Sequence, residues 1–200
     1  MSRYTGPRLR IMRSLGMNLP GLSAKTIDKR PFPPGQHGPK TRRKASLHGT
    51  RLREKQKLRF HYGVTERQLR TLAAAAARAK GATGAELVQL LERRLDNIVF
   101  RAGFARTIPA ARQLVTHSHV LVNDRVLNIP SARLRRGDVV TIRTRAHEAV
   151  QLQRSKGVAL AVPDWLEVDV DAFRVKLAVL PDISAVPFPI EMSHVVEFYS

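Results

Sequence analysis

Residues 91–143 limit the possible folds of this chain more than any other stretch. They read LERRLDNIVFRAGFARTIPAARQLVTHSHVLVNDRVLNIPSARLRRGDVVTIR. Two short helical patterns come first, followed by a period-2 alternation, a tight turn and a final strand. Leu95 and Ile98 complete an apolar stripe begun by Leu87, Leu90 and Leu91, and the stripe ends near Gly103. Thr107 suits the cap of a further helix, with Pro109 tolerated in its first turn, so that Ala111, Leu114 and Val115 face inward. Val120, Leu121 and Val122 then run into Asn123-Asp124, two residues that tolerate the positive φ of a hairpin turn, before Val126 and Leu127. Arg135-Arg136-Gly137-Asp138 makes a second turn before a strand at 139–143. A change of period inside one stretch calls for helices packed on a small antiparallel sheet, an α+β arrangement.

The polar residues of this stretch are mostly arginines. Arg93 and Arg94 lie off the apolar stripe, Arg101 follows two turns on, and Arg106, Arg112 and Gln113 are expected to point outward. Guanidinium groups gathered on one surface suit bidentate contact with phosphate. Charge over the whole chain points the same way. The 200 residues carry a net +19, with a pI of about 11.5. Such an excess favours a polyanion, nucleic acid ahead of an anionic membrane. Residues 1–60 hold 16 Lys+Arg against 2 acids, whereas residues 161–200 hold 2 against 7. The first end is expected to face phosphate and the last, with its acids at 164–171, a basic protein surface. With no cysteine, disulfides and thiolate zinc sites are excluded. No signal peptide or membrane span is evident, and a cytoplasmic protein is expected.

Residues 1–45 show little hydrophobic periodicity. Arg3, Arg8, Arg10, Arg13, Lys29, Arg30, Gln36, His37, Lys40, Arg42, Arg43 and Lys44 are scattered among glycines and prolines. The expectation is an extended, irregular basic arm that buries too little to fold alone and orders on RNA. The string PPGQHG lacks the spacing of a nucleotide phosphate loop. Residues 46–62 read as a weakly amphipathic helix whose Arg51, Arg53, Lys55, Lys57 and Arg59 are expected to contact phosphate. Thr65 and Gln68 have capping-box spacing, and Leu69, Leu72, Ala73 and Ala76 form one stripe. Gly81 suits a helix end, and Thr83 with Glu86 suggests a second capping box. Residues 146–157 are expected to be helix or loop. Residues 165–169 and 173–177 alternate like strands, and Pro181-Asp182 marks a turn.

Taken in order, RLDN at 94–97, GFA at 103–105, ARQLV at 111–115, VNDR at 122–125, PS at 130–131 and RGD at 136–138 resemble a small RNA-binding domain. That domain is named after the fourth protein of the small ribosomal subunit. The flanking strings PPGQHG, LREKQK at 52–57, YG at 62–63, LE at 91–92 and the terminal EFYS extend the likeness to the family of that bacterial ribosomal protein over nearly the whole chain. The resemblance implies no cofactor, direct binding of small-subunit ribosomal RNA at a helical junction of its 5′ domain, and early action in subunit assembly. It further implies a place along the mRNA entry channel and an influence on decoding accuracy. Neighbouring small-subunit proteins, notably the third and fifth of the series, are implied as partners, with no small-molecule substrate. The mRNA-facing role falls on Lys40, Arg42, Arg43 and Lys44. The clamp on ribosomal RNA falls on Arg93, Arg94, Arg101, Arg106, Arg112, Gln113, His117, His119 and Asn123, while Asp96 and Asn97 hold helix ends. The family topology implies a helical domain at 46–90 to which 187–200 returns, with an α+β domain at 91–186 inserted between. Two positions depart from the pattern. Leu9 and Met12 stand where some relatives have zinc-binding cysteines, and Asp124 stands where the family's hairpin usually has glycine.

Two other readings compete. RLD at 94–96 resembles the catalytic-aspartate string of some pseudouridine synthases, but no separate catalytic domain follows, so an enzyme is not expected. A stand-alone RNA chaperone of heat-shock type could use the same small domain. With 6% aromatic residues and far more arginine than lysine, the expected chemistry is phosphate and shape recognition with a steep salt dependence, and base stacking is a minor term.

Overall fold

The computed structural model describes residues 4–40, 46–157 and 160–199. Local signals set most of the helices. Ser46 accepts a hydrogen bond from the Gly49 N–H and starts α2 (Leu47–His61). Thr65 and Gln68 form the reciprocal capping box of α3 (Glu66–Ala77), whose Leu69, Leu72, Ala73 and Ala76 are all buried as the stripe required. Thr107 caps α6 (Ile108–Thr116), with Pro109 in the first turn and Ala111, Leu114 and Val115 in the core. Each such cap contributes about 1 kcal/mol.

The arm departs from expectation. Residues Arg8–Leu15 form helix α1, closed by Gly16 in the left-handed region at φ 73°, and Met12 and Leu19 are fully buried. Their partners lie far along the chain. The Gly21 N–H donates to His61 Nδ1 at 3.3 Å, and the Ile108 N–H donates to the Gly21 carbonyl at 2.8 Å. The apolar residues interleaved with the arginines of this segment therefore gain their burial from the rest of the fold, α2 and α6 included, and protein contacts order this part of the arm.

The long stripe at 87–98 is also two helices. Helix α4 (Thr83–Glu92) stops at Arg93, and α5 (Leu95–Arg101) begins after Arg94. Residues 130–134 run alongside the break, where Leu95 N–H donates to the Ala132 carbonyl and Asp96 N–H to that of Pro130. The first orphan donors of α5 are thus satisfied by a neighbouring segment. Ala82, and not Thr83, occupies the cap position of α4, without a side-chain cap. Glu86 instead folds back against Gly81, which is not the left-handed closure of α3.

Strands β1 (Val120–Val122), β2 (Arg125–Val126), β3 (Val139–Ile142), β4 (Leu166–Asp169) and β5 (Arg174–Leu177) form one antiparallel sheet in the order β2-β1-β3-β5-β4. Asn123 and Asp124 both take positive φ, 47° and 62°, as the two-residue turn needs. Val120, Val140, Ile142, Val175 and Leu177 pack from its inner face into a core shared with α5 and α6. Helix α7 (His147–Ser155) follows β3, and the terminal α8 (Met192–Tyr199) returns to pack on α2, α3 and α4. The fold is α+β, a helical part joined to a small five-stranded sheet. Among the described residues, no helix is long and apolar enough to cross a membrane.

Candidate RNA interface

The start of α6 sits beside the turn between α2 and α3, and a furrow runs along their junction. It consists of two clefts that share Gly63, Pro109, Arg112 and Gln113. The larger, of about 710 Å³, is also lined by Tyr4, Arg8, Arg59 and Phe60. The smaller, of about 500 Å³, reaches His117 and Ser131.

Arg112 lines both of them, and its position is fixed by hydrogen bonds to Asp96 and Gly63. Its Nε and Nη2 donate to Asp96 Oδ2 at 3.0 and 2.6 Å, and Nη1 donates to the Gly63 carbonyl at 2.9 Å. Asp96 is completely buried and also takes a fork of hydrogen bonds from Arg94, at 3.0 and 2.8 Å. One carboxylate between two guanidinium groups satisfies the demand that buried charge be paired and hydrogen-bonded. The furrow wall is thus built before any ligand arrives.

A second buried carboxylate lies across the helix break, at the end of α4. Glu92 accepts from the Tyr62 hydroxyl and from Asn97 Nδ2, with Arg101 Nε 3.5 Å away. Burial raises its pKa, against the opposing pull of Arg101, Tyr62 and Asn97. Burial, and then the Glu92 charge, push the Tyr62 hydroxyl well above its usual value. Next to them, burial and the Arg101 charge lower His61 to about 3, so the ring is neutral and its Nδ1 accepts the arm's N–H.

Comparison with known proteins gives a consistent result. Residues 3–92 match the family described as "Ribosomal protein S4/S9 N-terminal domain", and residues 93–140 match the "S4 domain". A small ribosomal subunit protein uS4B of Nitrosomonas europaea is 54% identical over 202 aligned residues, covering 100% of this chain and 98% of that protein. The uS4 of Methylobacillus flagellatus is 53% identical with the same coverage, and the uS4c of Cyanophora paradoxa is 48% identical over 100% of both chains. The chain belongs to the uS4 family of small ribosomal subunit proteins.

The basic residues singled out in the sequence separate into groups. Arg3, Arg42, Arg43 and Lys44 lie outside the described residues. Arg10, Lys29, Arg30, Gln36, His37, Lys40, Arg53, Gln113 and His117 are exposed. The furrow gathers Arg8, Arg59, Arg112, Gln113 and His117 into one surface. Arg106 is half-buried near the start of α6, and Arg93 donates to the Leu134 carbonyl at 2.7 Å.

Three residues expected to contact RNA are buried. Arg94 is held by Asp96, while Arg101 donates to the Ala185 carbonyl at 2.5 Å and faces the Trp165 ring. Lys55 pairs with Glu66 at 3.0 Å beneath the Phe198 ring. Position off an apolar stripe does not secure exposure when another segment packs on that side. The same reason reassigns much of α2, which faces its own chain. Arg51 pairs with Glu197 at 2.7 Å, Lys57 pairs with Glu54 at 2.6 Å, and Glu54 also accepts from the Glu191 N–H beside the start of α8. Arg13 donates to the Phe32 and Pro33 carbonyls and organises the proline-rich segment. Asn123 spends its amide on Asp138 and Val139, tying the hairpin to the turn at 135–138. His119 accepts from Arg145 Nε at 3.2 Å, and burial, then Arg145, lower its pKa.

Sequence reasoning missed Tyr4, Phe60 and Arg145. Arg145 follows a strand and reaches back to the His117 and Ser118 carbonyls, and the reading assigned no site residue beyond Asn123. The available signal for the two aromatics was each one's position directly after an arginine, Arg3-Tyr4 and Arg59-Phe60.

Proposed function

We propose that the chain binds small-subunit ribosomal RNA directly, gripping a helical junction of the 5′ domain along the furrow between α6 and the α2–α3 turn. The observation that carries this reading is the placement of Arg112, a guanidinium pre-set by Asp96 and the Gly63 carbonyl that lines two clefts together with further basic side chains. A folded RNA junction offers phosphates and 2′-hydroxyls in fixed places, and it is read best by a surface of fixed shape. The full-length relatives named as small ribosomal subunit proteins support a place in the subunit and favour it over a stand-alone chaperone. Early assembly, an mRNA-facing role for the segment at 40–44 and an influence on decoding accuracy belong to the same proposal. So do contacts with the third and fifth small-subunit proteins, for which the exposed acids Asp164, Glu167, Asp169 and Asp171 suit a basic partner surface. The role is structural and not catalytic. Asp96, the residue matching the enzyme-like string, is sealed between two arginines and has no access to a substrate.

Hydroxyl-radical footprinting on isolated 5′-domain RNA tests the reading. Protection concentrated at a helical junction is expected, with an affinity whose log–log salt slope grows by roughly 0.7–0.9 for each phosphate neutralised. Uniform protection along the RNA would refute junction binding. Sedimentation with small subunits at physiological salt separates a subunit component from a free chaperone.

A further inference from the structure

The larger cleft carries two aromatic rings among its arginines. Tyr4 leaves 43% of its surface exposed. Its ring meets the half-buried Phe60 edge-to-face, with centroids 5.7 Å apart and planes at 78°. The Arg59 guanidinium lies over the Phe60 ring, 4.6 Å from its centroid. Gly6 lets the phenol fold back, because a Cβ there would stand 2.6 Å from Tyr4 Oη. Arg8 and Gln113 line the same cleft. Among the described residues, Glu66 is the one acid in its wall, and its carboxylate is already bound by Lys55 and the Tyr199 hydroxyl.

These parts match the chemistry of an unstacked nucleotide. A base gives up its neighbours in a helix only where another π-face replaces them, and exposed aromatic rings or arginine planes supply one. Arginines provide for the phosphate, and the Gln113 amide can both donate to and accept from a base edge. The cleft's 710 Å³ falls within the roughly 300–1,000 Å³ usual for ligand pockets. A paired, stacked base has no free face to offer here. We propose that this cleft takes one unpaired nucleotide of the bound RNA, its base stacked on the exposed Tyr4 ring that Phe60 supports edge-on, and its phosphate held by Arg8 and Arg59. The inference rests on the RNA-binding reading above and adds to it a single stacking site on a surface otherwise governed by phosphate contact. A free nucleotide has the same chemistry, so the test must separate the two sources.

The affinity of the full chain for isolated 5′-domain RNA is measured at several salt concentrations, for the wild type, Tyr4→Ala, Tyr4→Phe and Gly6→Ala. Loss of stacking releases no counterions. Tyr4→Ala should therefore weaken binding by about five- to a hundredfold with an unchanged salt slope. Tyr4→Phe should bind as the wild type does, and Gly6→Ala, which pushes the ring aside, should weaken binding in the same sense as Tyr4→Ala. Ultraviolet cross-linking should join a nucleotide to the peptide that contains Tyr4. Adenosine and uridine monophosphates form the free-ligand arm, and displacement of that cross-link at submillimolar concentration would transfer the site to a soluble nucleotide and overturn the RNA assignment. Tyr4→Ala binding like the wild type, with no cross-link in the arm, would overturn the nucleotide site alone. Failure of the wild type to bind the RNA would overturn the reading beneath it as well.

Discussion

Asp96 and Glu92 are both fully buried carboxylates, one on each side of the break between α4 and α5, yet they are held in opposite ways. Asp96 receives two charged guanidinium groups, at 2.8 Å from Arg94 and 2.6 Å from Arg112. Glu92 receives a phenol and an amide, with Arg101 Nε at 3.5 Å. Asp96 also connects outward, because Arg112 keeps 24% of its side-chain surface exposed and lines the furrow. Glu92 connects inward, to Tyr62 at the end of α2 and to Asn97 on α5. Equal burial thus conceals two roles. One carboxylate sets the shape of a surface, and the other closes a polar gap inside the core.

The largest effect should come from removing the doubly paired group. Asp96→Ala leaves Arg94 as an uncompensated charge in the interior, and breaking a buried pair in this way costs about 3–5 kcal/mol. Thermal unfolding should fall by roughly 10 °C. A drop of only a degree or two would mean that the two arginines find other partners, and the contrast with Glu92 would lose its basis.

The next test asks whether geometry or charge governs the furrow. Asp96→Asn raises the local net charge by one unit and turns one of the two carboxylate oxygens that accept from Arg94 and Arg112 into an NH2 donor facing a guanidinium, which loosens the hold on Arg112. If a fixed shape is what the RNA reads, affinity for 5′-domain RNA falls about tenfold although the protein has become more basic. Glu92→Gln, which does not touch Arg112, should leave affinity unchanged. Tighter binding by Asp96→Asn would show that the furrow acts through charge alone.

A smaller stability effect, that of Glu92, depends on pH. The folded pKa of Glu92 is raised above the ordinary glutamate value of 4.5, chiefly by burial. Its contribution to stability is complete below that value and is lost as pH rises through the raised folded pKa. Glu92→Gln removes this loss, so the variant should show a flatter denaturation midpoint from pH 4.5 upward. At neutral pH the cost should be about 1 kcal/mol or less, since the desolvation of a charge disappears along with its hydrogen bonds. Equal costs for Glu92→Gln and Asp96→Asn in urea titrations would erase the distinction drawn from their partners.

The same pair marks the boundary between what was readable in the sequence and what was not. Caps and stripes are local, so Thr65 with Gln68, Thr107 with Pro109, and the Asn123-Asp124 turn could be read in advance. The structural role of Asp96 and Asn97 came from the family resemblance. What could not be read were contacts made by segments distant in the chain. Residues 130–134 cover the helix break and place Arg94 inside, and α8 covers α2 and draws Arg51 into a pair with Glu197. The apolar stripe of a helix marks one packed face, whereas these arginines lie on a second one. Helix α1 was hidden for a related reason, since its Leu9, Ile11, Met12 and Leu15 are interleaved with arginines and find their packing partners only across the fold. The Tyr4–Phe60 pair joins the arm to α2, a juxtaposition that only the packing of the arm creates.

The smallest expected effect calibrates the others. Asp124 is an exposed carboxylate in the hairpin turn, held at φ 62°. Its charge remains in water, so the desolvation that governs Asp96 and Glu92 is absent. What remains is backbone strain, because a side chain in the left-handed region brings Cβ close to the following carbonyl oxygen. Glycine removes that clash but leaves a more flexible unfolded chain, and the two terms largely offset each other. Asp124→Gly should therefore stabilise the fold by a few tenths of a kcal/mol, roughly a 1 °C rise in thermal unfolding. It should not alter the pH dependence attributed to Glu92. A loss of 1 kcal/mol or more would mean that Asp124 makes a contact comparable to those of the buried pair, and exposure alone would no longer separate structural carboxylates from solvated ones in this fold.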